Sequence, residues 1–278
     1  GHALPIENGN AVCFSAEKAD QAELETNGIA EVLAFVGKPL PPVYSAELSE
    51  FVFAAGLQLM KSDHWDLMYL SSTDYIQHKF APGAPAANSF YSMLDGYLSQ
   101  LDALGVTLAI TADHGMKPKH DPEGRPNVIY LQRLLDECLG EGKAKVILPI
   151  TDPYVVHHGA LGSFALIYLA SEQDADRIVE RLAGTEGILE VLPRETGCAR
   201  FGLPPDREGD LIVISTAEQT FGTRPEHHDL GQLKTPLRSH GGITEQRVPM
   251  LLNRRCQRID PSVKLRNFDA FFLALNSV

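Results

Sequence analysis

The chain has 278 residues, of which 44% are hydrophobic and 22% are charged, a composition that excludes a disordered or fibrous protein and allows a sizeable core. Its 24 Lys and Arg residues against 36 Asp and Glu residues give a net charge of −12, which argues against a binder of duplex nucleic acid, because such a protein needs a basic face. No apolar run reaches the about 18–20 residues of a membrane span, so the sequence also argues against a membrane protein.

Four cysteines are scattered along the chain without a CxxC pair: Cys13, Cys138, Cys198 and Cys256. This pattern predicts reduced thiols and favours a cytoplasmic location over secretion. The chain starts Gly-His-Ala-Leu, and we expect it to be a part of a longer protein. A homodimer is compatible with the sequence.

The first half of the chain predicts a strand–helix–strand unit. A weak strand at 11–15 precedes a helix at 45–62, for which Ser45 is the expected N-cap. A short apolar run at 66–71 indicates a buried strand, and apolar residues at spacings of three and four predict an amphipathic helix over 86–104. Gly105 would end that helix, and 106–112 would form a second strand, parallel to the first.

Short runs dominate the chain after Asp121. The pattern predicts a helix at 127–139 and another at 172–184, with strands at 145–150, 164–169, 187–192 and 210–215. Several strands around few helices indicate a small α+β subdomain inserted in the main sheet. A strand at 249–252 and a helix at 265–276 would complete the chain.

Three short strings carry the candidate chemistry: Asp74-Tyr-Ile-Gln-His78, Asp113-His114-Gly-Met116 and Ser239-His240-Gly241-Gly242. An Asp and a His four residues apart lie on one side of a helical turn, where both can bind one cation. The first two strings follow predicted strands, and ligands in open α/β sheets gather beyond the carboxyl ends of strands. A mixed Asp/His set suits Zn²⁺ or Mn²⁺ better than Ca²⁺.

The order and spacing of these strings resemble the metal-site series of the alkaline phosphatase superfamily. Within it, the Ser-Thr-Asp-Tyr-Ile-Gln-His context resembles the phosphonoacetate hydrolase family, and the nucleotide pyrophosphatase/phosphodiesterase branch is a close relative. The resemblance implies an α/β fold with a mixed, mostly parallel sheet flanked by helices and a small inserted α+β lid. It places the metal-binding core at 1–118 and 236–278, and the lid at 119–235.

The resemblance also implies a cofactor of two zinc ions. Asp74, His78 and His240 would hold one ion, and Asp113 and His114 would hold the other. A further Asp ligand, a nucleophilic Thr and the basic side chains that bind the substrate carboxylate are implied upstream of this chain. The implied reaction cleaves the carbon–phosphorus bond of phosphonoacetate, a small anion, to acetate and phosphate.

Two alternatives stay open at this point: a nucleotide pyrophosphatase or phosphodiesterase of the same superfamily, and a non-catalytic zinc-binding fragment. Among the other polar residues, His157 and His158 are weak candidates for substrate contacts, and His227 and His228 are expected to be solvated. We expect Thr73 to make a hydrogen bond in its loop, and a last group to lie at the surface: Lys117, Lys119 and His120.

Overall fold

A computed structural model describes residues 4, 6, 9–149, 161–256, 259–260 and 262–276. Its helices, in chain order, are α1 (Leu24–Asn27), α2 (Val32–Val36), α3 (Ala46–Ser62), α4 (Tyr75–Lys79), α5 (Pro85–Ala103), α6 (Leu131–Leu139), α7 (Ala175–Ala183), α8 (Arg194–Phe201) and α9 (Ala270–Asn276). Its strands are β1 (Ala109–Thr111), β2 (Lys117–Pro118), β3 (Val128–Tyr130), β4 (Ala144–Ile147), β5 (Phe164–Leu169), β6 (Ile188–Pro193), β7 (Leu211–Ser215), β8 (Thr220–Gly222), β9 (Arg238–Ser239) and β10 (Met250–Leu252). None of these helices is long and apolar enough to cross a lipid bilayer.

The chain forms two compact units. One contains Gly1–Ile110 and Met250–Val278, and the other contains Thr111–Pro249. The limits predicted for the core (1–118 and 236–278) and the lid (119–235) stay a prediction.

The first unit is built on two long helices, α3 and α5. Apolar residues of α3 pack against α2 and the turn that starts at Ala16, and the buried members of this cluster include Val32, Leu48 and Phe51. Ser45 occupies the N-cap position of α3 as expected, but its hydroxyl donates to Pro42 O instead of accepting from the helix. Gly105 has φ +85° and follows Leu104, the C-cap of α5, which confirms its role as the terminating glycine.

The predicted strand at 66–71 is wrong, and so is the weaker one at 11–15. Residues 66–71 follow α3 as irregular chain, with Leu67 and Tyr69 more than half exposed. Leu70 still packs on α3, where a Cβ on Gly56 would lie 2.6 Å from Leu70 Cδ1. Within the described residues the run finds no strand to pair with, so the expected strand–helix–strand unit keeps only α5 and β1.

The second unit contains a four-stranded sheet in the order β4–β5–β7–β6, with all neighbours antiparallel. The central strands β5 and β7 are apolar except for Ser215, as expected for strands covered on both faces of the sheet. One face carries Ala165, Ile167 and Val213 against α6 and α7, and the other carries Leu166, Ile212 and Ile214 against α8. This alternation follows the two-residue period of a strand.

The mixture of helices and strands confirms the predicted α/β class. β2–β9 is antiparallel and β3–β8 is parallel. The four-stranded antiparallel sheet lies within 119–235, the residues predicted to form the inserted α+β lid. The long apolar strands of the chain belong to the antiparallel sheet of the second unit. The sequence did not predict helix α8 or the short strands β2, β8 and β9. The three strands have only two or three residues each, which is too short to show a period.

Candidate metal centre

Asp74 and His78 frame the short helix α4 in the first unit. Asp74 is the residue before α4, and its carbonyl accepts from the backbone N–H of His78 at 3.0 Å. This single helical turn brings Asp74 Oδ2 to 3.1 Å from His78 Nε2, with both side chains partly exposed. Two donors on one tetrahedral zinc ion lie about 3.4 Å apart, given bonds of about 2.0–2.2 Å. The pair therefore fits one metal ion.

Packing on both sides fixes the α4 turn. Ile76 is buried against Ala87 and Phe90 of α5, and Gln77 Nε2 donates to Tyr91 Oη at 3.0 Å. Before the turn, the backbone N–H of Thr73 donates to Oγ of Ser49, a residue of α3 that is buried. The hydroxyls of Thr73 and Ser49 lie 3.5 Å apart, so Thr73 has hydrogen-bond partners in its loop as expected.

Asp113 and His114 lie in the second unit, between β1 and β2. Asp113 Oδ2 is 3.5 Å from His114 Nε2, and the Asp113 carboxylate is 85% exposed. His114 Nδ1 lies 3.0 Å from Gly115 O, which holds the ring when that nitrogen carries the proton. In that tautomer Nε2 keeps its lone pair on the side of the carboxylate, an arrangement found in metal-binding histidines. This pair also fits one ion.

His240 lies directly after β9, which pairs with β2 through Lys117 and Ser239. This pairing brings the chain after Asp113 beside the chain before His240. The rings of His114 and His240 are stacked, with centroids 3.5 Å apart and planes 4° apart. Gly241 follows with φ +101°, a backbone conformation that favours glycine and lets the chain turn directly after the imidazole.

The outcomes differ for the four remaining predicted histidines. His157 and His158 lie outside the described residues. His228 is buried, not solvated as expected, and its Nε2 accepts from the Thr223 backbone N–H at 3.0 Å; His227 Nδ1 lies 3.0 Å from the Thr223 hydroxyl. These contacts with Thr223 give His227 and His228 a structural role in their loop.

The expectation that Lys119 lies at the surface is wrong. Lys119 is fully buried and forms an ion pair with Glu245, another residue that the motifs did not single out. A lysine two residues from another lysine in a polar stretch gives no sign of burial. The one available signal for Glu245 was its position three residues after Gly242, from which a Glu side chain can accept from the backbone N–H of the residue before a helical turn.

Comparison with known proteins identifies the family. Residues 37–243 match the family described as type I phosphodiesterase / nucleotide pyrophosphatase. The chain belongs to this family. Membership confirms the prediction of a hydrolase of the alkaline phosphatase superfamily. The matched segment includes all three strings that carry the candidate ligands.

Solved structures of similar proteins give a finer comparison. Phosphonoacetate hydrolase from Sinorhizobium meliloti 1021 is 55% identical, in a complex with phosphonoformate (TM-score 0.96) and in one with phosphonoacetate (TM-score 0.95); each match covers 100% of this chain and 67% of that chain. An inactive variant of murine ectonucleotide pyrophosphatase/phosphodiesterase 5 in complex with AMP is 18% identical, with a TM-score of 0.53 over 86% of this chain and 61% of that chain. The latter likeness supports the fold alone.

Proposed function

We propose that this chain is the larger part of a zinc-dependent phosphonoacetate hydrolase, which converts phosphonoacetate and water to acetate and phosphate. The observation that carries the proposal is the 55% identity, over the whole chain, to a phosphonoacetate hydrolase solved with phosphonoacetate. The fit of Asp74 with His78, and of Asp113 with His114, to shared cations supports the metal dependence. The predicted cytoplasmic location stays a prediction.

Two sets of side chains hold the metal in this proposal. Asp74, His78 and His240 are a potential ligand set of one carboxylate oxygen and two imidazole nitrogens. Asp113 and His114 provide the second set. These are nitrogen and oxygen donors without thiolates, as in catalytic zinc sites, which leave a position open for substrate. Bound together, two zinc ions supply four positive charges and Lewis-acid activation at the phosphonate.

The residues of this chain have positioning and electrostatic roles in the reaction. The carboxylates of Asp74 and Asp113 would offset part of the cationic charge, and Gly115 O would orient the His114 ring through Nδ1. The stacked rings of His114 and His240 occupy adjacent planes, so their nitrogens can serve neighbouring ions. The nucleophile is a threonine N-terminal to these residues in this proposal, and it would attack phosphorus as the C–P bond breaks and acetate leaves as its enolate, which takes up a proton at carbon. Water would then hydrolyse the phosphothreonine to phosphate and regenerate the threonine.

The test is product analysis with the full-length protein that contains this chain. Phosphorus NMR should show phosphonoacetate replaced by phosphate, with one acetate formed for each phosphate. A chelator should abolish the conversion, and added Zn²⁺ should restore it. Turnover that persists after complete metal removal would contradict the metal role, and no release of acetate by the zinc-loaded protein would contradict the proposed reaction.

A further inference from the structure

A buried ion pair lies beside the loops that carry His114 and His240. Lys119 Nζ is 3.2 Å from Glu245 Oε1, and the two side chains are 0% and 1% exposed. The ammonium group also donates to Ser163 Oγ and to Ala217 O, each at 2.7 Å, so all three of its protons have acceptors. Burial lowers the pKa of Lys119, and the Glu245 carboxylate opposes that shift.

Glu245 connects the two histidine loops through separate atoms. Its Oε2 accepts from the backbone N–H of Gly242 at 2.8 Å, two residues after His240. Its backbone carbonyl accepts from the N–H of Gly115 at 2.6 Å, one residue after His114. One residue therefore joins both segments that carry the stacked imidazoles.

Lys119 reaches the His240 loop by a second route. Its hydrogen bond fixes the Ser163 side chain, and the backbone N–H of Ser163 donates to His240 O at 2.9 Å. The packing leaves no spare room, since a Cβ on Gly242 would lie 2.8 Å from Glu245 Oε2 and 3.0 Å from Ser163 Cβ. His240 is thus held on both sides by groups that bond to the ion pair.

An apolar pair would fill the same volume, and burying two charges has a large desolvation cost. An apolar side chain, however, cannot accept from Gly242 or donate to Ser163, whereas charged groups make strong and directional hydrogen bonds. The pair is also neutral as a whole, so the lysine adds no net positive charge beside a site that receives cations. These properties suit a role in alignment.

We propose that Lys119 and Glu245 are positioning residues, which hold the loops of His114 and His240 so that both imidazoles are aligned for metal binding. The inference rests on the proposed metal-dependent function and extends it to residues that touch neither metal nor substrate. Substitution of a residue that supports a metal ligand typically lowers metal affinity by about 10–100-fold. We expect effects in this range.

The experiment compares two double variants of the full-length protein, neither of which has a buried charge at this place. Lys119→Met with Glu245→Gln keeps an oxygen that can accept from Gly242, whereas Lys119→Met with Glu245→Met removes it. Urea denaturation measures the stability of both variants, and competition with a chromophoric chelator measures their zinc dissociation constants. We expect similar stability, with zinc bound at least about tenfold more tightly by the glutamine variant.

Equal zinc affinities in the two double variants would overturn the positioning role, since the pair would then act only on stability. If the methionine variant does not fold, Gly242→Ala replaces it, because the added Cβ displaces the Glu245 carboxylate and leaves both charges in the chain. Its zinc dissociation constant should rise at least about tenfold, and an unchanged constant would overturn the inference. A wild-type protein that binds no zinc would instead contradict the proposed function itself.

Discussion

His240 is the residue on which the proposed metal chemistry depends most. In the proposed function it would supply one of the two imidazoles that hold an ion with Asp74, and its ring stacks on His114 with centroids 3.5 Å apart. A site with three protein ligands that loses one retains two, which is too few for tight zinc binding. Its loss should therefore affect metal content before it affects the fold, because His240 is only partly buried.

We predict that His240→Ala lowers the zinc content of the purified full-length protein by about one equivalent. The value of kcat/KM for phosphonoacetate should fall by more than about 100-fold. Substitution of a residue that only supports a metal ligand already lowers activity by about 10–100-fold. Plasma mass spectrometry measures the metal. His64→Ala is the matched control, because His64 is exposed and belongs to none of the candidate strings. Unchanged zinc content in His240→Ala would refute its assignment as a ligand.

Helices α3 and α5 act as the support for the Asp74–His78 turn. One contact from α3 is polar: Ser49 Oγ accepts from the Thr73 N–H at 3.2 Å. Ser49 is 1% exposed, so water cannot easily replace its hydroxyl. The position of the turn should depend on this hydrogen bond.

Ser49→Ala should lower the free energy of unfolding by about 1 kcal/mol, the usual net value of one hydrogen bond. It should also weaken zinc binding, since the loop before Asp74 loses its anchor. Urea denaturation and chelator competition measure the two effects. Ser62→Ala, at the exposed end of the same helix, is the control and should change stability by less than about 0.5 kcal/mol. Equal effects of the two substitutions would argue against the anchor.

The sequence predicted those helices and strands whose own apolar pattern is long enough to be recognised. Helices α3, α5 and α7 and strands β5 and β7 carry an apolar period or run long enough to read, and the structure has them within a few residues of the predicted bounds. The run at 66–71 has the composition of a strand but no neighbour to pair with in the described part of the chain. A strand is a property of at least two segments, so composition alone cannot establish one.

The candidate site shows the same division. The Asp and His residues could be named from motif spacing, because the chemistry of a metal ligand restricts the residue type. Lys119 and Glu245 could not, since their roles arise from contacts between segments 126 residues apart. Lysines are rarely buried, and only the structure shows that Lys119 lies beside the Glu245 carboxylate.

At the scale of the whole molecule, the four-stranded sheet gives the second unit its core. Leu182 of α7 is 0% exposed in the cluster between the helices and one face of this sheet. Leu182→Ala should lower the free energy of unfolding by about 2–5 kcal/mol, because it leaves a cavity as well as removing apolar contact. Leu189→Ala makes the same chemical change at a side chain that is 44% exposed, and should cost less than about 1 kcal/mol. Denaturant titrations that gave both variants the same loss would contradict this description of the core.

The central claim concerns which phosphorus bond the whole protein cleaves, because its family is described as type I phosphodiesterase / nucleotide pyrophosphatase, whereas the solved structure at 55% identity is a phosphonoacetate hydrolase. The most direct measurement is the ratio of kcat/KM for phosphonoacetate to kcat/KM for a nitrophenyl phosphodiester, taken with the zinc-loaded full-length protein. We predict a ratio well above one, with phosphate and acetate formed together. A ratio below one would contradict the claim and assign the chain to the phosphodiesterase activity of its family.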